Sequence, residues 1–142
     1  MTRAEAWFVH SGVLIVGGTG LVYGWMRYFA TPTEEFAIVN HPWQPEVHAA
    51  HILVAPLLVF ACGLVWRDHV WRRVRRGHPA RRRTGLVLFA TFFPMAVSGY
   101  FVQTAVEQDW RLAWIWVHGV GSVVWLAAYL VHQLSPRPEG AP

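Results

Sequence analysis

The sequence predicts an all-α integral membrane protein, a four-helix bundle. Hydrophobic residues make up 54% of its 142 residues, and nine of them are Trp. Four separate stretches are each apolar over the roughly 20 residues that a helix needs to cross a bilayer core. The charge is segregated: all twelve basic residues are Arg, and eight of them crowd between Arg67 and Arg83. A net charge of +4 can signal nucleic acid, but basic residues flanked by apolar runs read as a membrane-topology signal instead. No nucleic-acid partner is expected, and the length fits one domain over residues 1–142.

The first span covers about residues 7–29. Its leading segment, Met1-Thr-Arg-Ala-Glu-Ala, lacks a basic n-region followed by a cleavable site, so the run reads as a retained span. Its one late charge, Arg27, can snorkel to the interface. The second span covers about residues 47–66. The third, 85–105, holds no charge, and Pro94 can kink it. The fourth covers about residues 111–134. Trp7, Trp25, Trp43, Trp66, Trp71 and Trp110 fall near span ends, where aromatic belts form.

The positive-inside rule places the Arg-rich connection in the cytoplasm, and both termini with it. The other two loops then face outward, carrying Glu34, Glu35, Glu46, Glu107 and Asp109. The long outer loop holds Pro32, Pro42 and Pro45 and is expected to be irregular, as is the Pro-rich tail from Ser135. Cys62 is the single cysteine, so no intrachain disulfide forms. With no CxxCH or CxxC motif, covalent c-type haem and iron–sulfur clusters are excluded within this chain. Cys62 reads as a small packing residue.

Eight histidines remain to be explained. His41 in the outer loop, and His69 and His78 in the Arg-rich connection, read as solvated loop residues. His10, His48, His51, His118 and His132 lie in or at the edge of spans. An ionisable side chain there is costly and usually has a partner and a function. His118 and His132 are fourteen residues apart. Fourteen steps of about 100° end about 40° short of four full turns, so both share one helix face, about 21 Å apart along the axis. Two haems near opposite faces of a membrane need ligands spaced this way, and imidazole suits iron.

Depth selects the partners. His10 and His132 both fall near the cytoplasmic side and can hold an inner haem iron. His48 and His51 fall near the outer side, as does His118. His51 lies nearer the depth of His118 and is favoured over His48 for the outer iron. His48 would then bond a haem propionate or sit at the interface. Gly17 and Gly24 follow His10 by seven and fourteen residues on the same face. Gly24 would leave room for the outer macrocycle, or the glycines serve close helix packing. Trp125 lies seven residues from both His118 and His132. It would pack between the two haem edges, or it is an ordinary core or lipid-facing Trp.

In number and order of ligands the pattern resembles the membrane cytochrome b subunits that anchor respiratory formate dehydrogenases and nickel–iron hydrogenases, with their small bacterial stand-alone di-haem relatives. One ligand comes from the first span, one from the second, none from the third, and two from the fourth. The resemblance covers the four spans. It implies two haem b groups, a bacterial inner membrane location, and electron transfer between a soluble periplasmic redox partner and a quinone near the inner haem. It also implies a quinone site near His10 and His132, lined by Thr84 and Gly85. Contact with membrane lipid is expected of the Arg-rich connection. Two other functions are compatible with the sequence. One is a self-contained oxidoreductase that takes electrons from a small diffusible donor such as superoxide to quinone. The other is a haem-free structural or transport subunit with interhelical histidines.

Overall fold

The computed structural model describes residues 1–32, 34–76 and 81–136; His78 and most of the Pro-rich tail lie outside them. Among the described residues all regular structure is helical. The elements are α1 (Arg3–Tyr28), α2 (Gln44–Val65), α3 (Arg72–Arg76), α4 (Arg82–Thr104) and α5 (Gln108–Leu134), with a π-helical segment, Trp66–Trp71, joining α2 to α3. Four stretches are long and apolar enough to cross a membrane: α1, the run from α2 through α3, α4 and α5. The fold class is all-α, as the sequence predicts.

The chain forms two compact units, Met1–Trp66 and Arg67–Pro142. In the first, α1 opens with a reciprocal cap. The Thr2 hydroxyl accepts from the Glu5 N–H at 3.2 Å, and the Glu5 carboxylate accepts from the Thr2 N–H at 2.7 Å. Both satisfy donors that a helix start leaves unpaired. Pro45 stands in the first turn of α2, where its missing N–H costs little. Phe8 meets Phe60, Gly12 meets Leu58 and Ala61, Gly20 meets His51, and Tyr23 meets His48. The numbers rise along α1 as they fall along α2, so the pair is antiparallel. Its core holds Val13, Val16, Met26, Leu58, Ala61 and Val65.

The second unit pairs α4 with α5 in the same antiparallel sense. Gly85 faces His132, Met95 faces Gly121, Gly99 faces His118, and Phe101 stacks on Trp114. Phe92, Met95, Ser98, Trp125 and Tyr129 are buried. Large side chains elsewhere stay exposed, among them Leu14, Leu53 and Leu130. Such surface would drive aggregation in water and suits a hydrocarbon surrounding.

One expectation is corrected. The helix that starts at Gln44 does not stop at Trp66 but continues to Arg76. Residues 67–76 of the Arg-rich connection are therefore helical, His69 among them. Charge ends a hydrophobic span without ending a helix, because backbone hydrogen bonds continue into the interface. An Arg72–Asp68 ion pair of 2.7 Å, four residues apart, lies on this extension.

The start of α4 is tied to the end of α5. Arg81 adopts a left-handed backbone, φ 56°. Its guanidinium donates to the carbonyls of Gln133, at 3.2 Å, and Ser135. A helix end leaves its last carbonyls without partners, and a cation there complements them. Replacing Arg81 with Ala removes this clamp and keeps the left-handed backbone, which costs a side-chain-bearing residue about 1 kcal/mol. Arg81→Gly removes the clamp and the strain together. Thermal unfolding in detergent is expected to rank wild type above Arg81→Gly and Arg81→Gly above Arg81→Ala.

Candidate metal-ligand histidines

Three histidines share one local design. Each faces a dipeptide of a hydroxyl residue followed by glycine on the helix packed against its own. In the first unit His51 on α2 faces Thr19-Gly20 on α1. In the second, His132 on α5 faces Thr84-Gly85 on α4, and His118 faces Gly99, its Nδ1 on the Met95 carbonyl that also accepts from the Ser98 hydroxyl. The two dipeptides of α4 are fourteen residues apart, as are the two histidines of α5. Antiparallel helices of equal rise bring both pairs into register together.

The glycines let the rings come close. A Cβ on Gly20 would lie 2.9 Å from His51 Cε1, and one on Gly99 would lie 3.1 Å from His118 Cε1. At Gly85 the corresponding distance to His132 Cε1 is 3.7 Å, ordinary contact.

The hydrogen bonds fix the ring tautomer. His118 Nδ1 lies 2.9 Å from the Met95 carbonyl oxygen. A carbonyl only accepts, so Nδ1 carries the proton, and in the neutral ring Nε2 carries the lone pair. His132 Nδ1 lies 2.9 Å from the Thr84 hydroxyl, which itself donates to the Arg81 carbonyl at 3.0 Å. With its one proton on that carbonyl, the hydroxyl accepts from His132 Nδ1–H. Thr19 repeats this: its hydroxyl lies 2.8 Å from the Ile15 carbonyl and 3.1 Å from His51 Nδ1. His118 thus presents Nε2 as the electron-pair donor, and His51 and His132 do the same when the threonine proton stays on its carbonyl, with each ring's orientation set by a second residue. Metal-binding histidines are commonly held this way.

The other sequence candidates sit differently. His48 is stacked on Tyr23, ring centres 4.5 Å apart and planes 19° apart. His10 lies edge-on to Trp7 at 6.1 Å. It precedes Gly20, and so the level of His51, by ten residues, about 15 Å along α1. An added Cβ at Gly24 meets nothing within 4 Å. Gly17 is half-buried in α1. Trp125 is buried and stacked on Tyr129, ring centres 5.6 Å apart. Thr84 and Gly85, expected to line a quinone site, flank the His132 ring. In the loop, His41 Nδ1 accepts from the Trp43 N–H at 3.1 Å, which fits a local turn role.

His69 was missed as a site candidate. It is half-buried, and its ring centre lies 6.5 Å from that of His132, with the planes 87° apart. A signal for the continuing helix was present in the sequence: Val65, Trp66, Val70, Trp71 and Val74 recur at helical spacing through the arginines. Among the described residues, no three of His, Cys, Asp or Glu converge as a metal-holding group.

No protein-family model, curated protein or solved structure matches this chain.

Proposed function

We propose that this chain is a membrane di-haem cytochrome b that passes electrons across the bilayer between a periplasmic redox partner and the quinone pool. The observation that carries the reading is the pair on α5. His118 and His132 stand fourteen residues apart on one face, and α4 engages the Nδ1–H of each, so both offer Nε2. When bound, the two haems supply one-electron transfer.

The residues have separate tasks. His118 takes the outer iron, with His51 as its second imidazole. The Thr19 bond and the Gly20 notch favour His51, while the stacked ring of His48 suits a supporting role. His132 takes the inner iron. Its second imidazole comes from His10, by depth in the sequence. Thr19, Thr84 and the Met95 carbonyl orient the rings and hold the Nδ1 protons. The Arg-rich segment faces the cytoplasm of a bacterial inner membrane, and quinone exchanges electrons near the inner haem.

Haem extraction with a reduced-minus-oxidised spectrum tests the reading on protein purified from membranes. Two non-covalent b haems per chain are expected. A chain that carries none is a structural or transport subunit, and the proposal fails.

A further inference from the structure

We propose that the helical extension beyond the second span carries a binding site for the phosphodiester headgroup of an anionic phospholipid, built from Arg67, Arg72, Arg75 and Arg76 around Trp71. The site involves no histidine and no haem.

The first support is placement. Gln44–Arg76 is one continuous helical run, so the residues from Arg67 onward follow directly on a segment suited to hydrocarbon. Ten residues rise about 15 Å, and the headgroup layer is roughly 5–8 Å deep on each side of a bilayer. The arginines therefore start within that layer. Trp71 is 45% exposed among them, and an indole of this kind settles at headgroup level.

The second support is the sorting of charge by face. His69, Val70 and Val74 are half-buried, and His69 meets His132 on α5. Arg73 follows His69 by four residues and shares its side of the helix. The other four arginines of the extension line one shallow concavity of about 440 Å³ together with Asp68 and Trp71. Setting the orientation of a span takes arginines in a connection, but it does not ask that they gather on one face. Recognition of a single anion does ask it, because guanidinium forks from successive turns can then reach the same phosphate oxygens.

The third support is the imbalance of charge. Asp68 is the only acidic residue between Arg67 and Arg83. It pairs with Arg72 at 2.7 Å, both side chains over half exposed, and such a surface pair holds weakly. Arg72 and Arg76 are like charges four residues apart, an arrangement that destabilises a helix. Four cations against one anion leave a surface that draws a negative ligand. A lipid fits it better than free phosphate. The concavity is open, so charge alone binds weakly in water, whereas a lipid is also held by its acyl chains beside the span.

The test is native mass spectrometry of the full chain, released from micelles that hold phosphatidylglycerol and phosphatidylcholine in equal amounts, with retained lipids counted per chain. Wild type is expected to prefer phosphatidylglycerol, and added inorganic phosphate leaves that preference unchanged. Each arginine near an anionic surface contributes roughly fivefold in affinity, so Arg72→Gln, Arg75→Gln and Arg76→Gln together abolish the preference. Arg73→Gln, Arg82→Gln and Arg83→Gln together remove the same charge from outside the concavity and keep it. Asp68→Asn removes the competing carboxylate and strengthens retention several-fold, a gain that a merely structural Asp68 would not give. Equal loss in the two triple variants overturns the site in favour of net charge. Wild type without a preference, or with one that inorganic phosphate removes, overturns it as well. Should the first triple variant lose helix content by circular dichroism, Asp68→Asn decides alone: retention at or below the wild-type level overturns the site.

Discussion

On the proposed di-haem reading, His118→Ala is expected to carry one b haem per chain instead of two, with the fold intact. The reason lies in how the histidine is anchored. Its Nδ1–H donates to the Met95 carbonyl, and the Ser98 hydroxyl donates to the same oxygen at 3.0 Å. Removing the imidazole leaves that carbonyl with a donor, so no buried polar group is orphaned. The hydrogen bond itself contributes about 1 kcal/mol net. The loss of an axial ligand is far larger for the haem, which has no covalent link to fall back on. Helix content by circular dichroism should match wild type while the difference-spectrum amplitude halves. The haem that remains is the one at His132, about 21 Å away along α5, so its midpoint potential should move little. His132→Ala gives the mirror result, because the Thr84 hydroxyl keeps its own bond to the Arg81 carbonyl. Two haems in either variant would refute the assignment of these ligands.

The helices were legible because hydrocarbon solvation leaves a coarse record: runs of the right length, Trp at their ends, Arg gathered in one connection. The fourteen-residue histidine spacing was read directly from the sequence, while the pairing of α4 with α5 appears only in the structure. What was not legible was the end of the second helix. Arg67 and Asp68 mark where the hydrocarbon stops, and the backbone continues its hydrogen bonds regardless through Arg76. That is why His69 read as a loop residue. The tethers were equally hidden. Thr19, Thr84 and Ser98 have ordinary roles in a packed helix, and only the partner helix shows that Thr19 and Thr84 hold imidazoles. Thr84 and Gly85 were expected at a quinone; the structure adds that they lie against a histidine ring.

Gly20→Val is expected to remove the outer haem, for a reason separable from any effect on the iron itself. A Cβ at Gly20 would stand 2.9 Å from His51 Cε1, closer than real contacts allow, and the two γ-methyls of Val add to it. The His51 ring must swing away, which breaks its bond to Thr19 and frees the tautomer that the bond selects. Overpacking of this kind costs about 1–3 kcal/mol, so the variant should also unfold at a lower temperature. Gly24→Val behaves differently. Nothing lies within 4 Å of its added Cβ, so the helix pair accepts the side chain and the haem-free protein keeps its melting temperature. Where Gly24 leaves room for the outer macrocycle, as the sequence offers beside close helix packing, this variant still loses outer haem. Gly63→Val, equally open in the structure, serves as the control and should keep two haems. Haem per chain, read beside thermal unfolding with and without haem, separates the three. A Gly24→Val protein that holds both haems would return that glycine to close packing within the membrane. A Gly20→Val protein that holds both would mean His51 is not the outer ligand, and His48, one turn away on α2, would take its place.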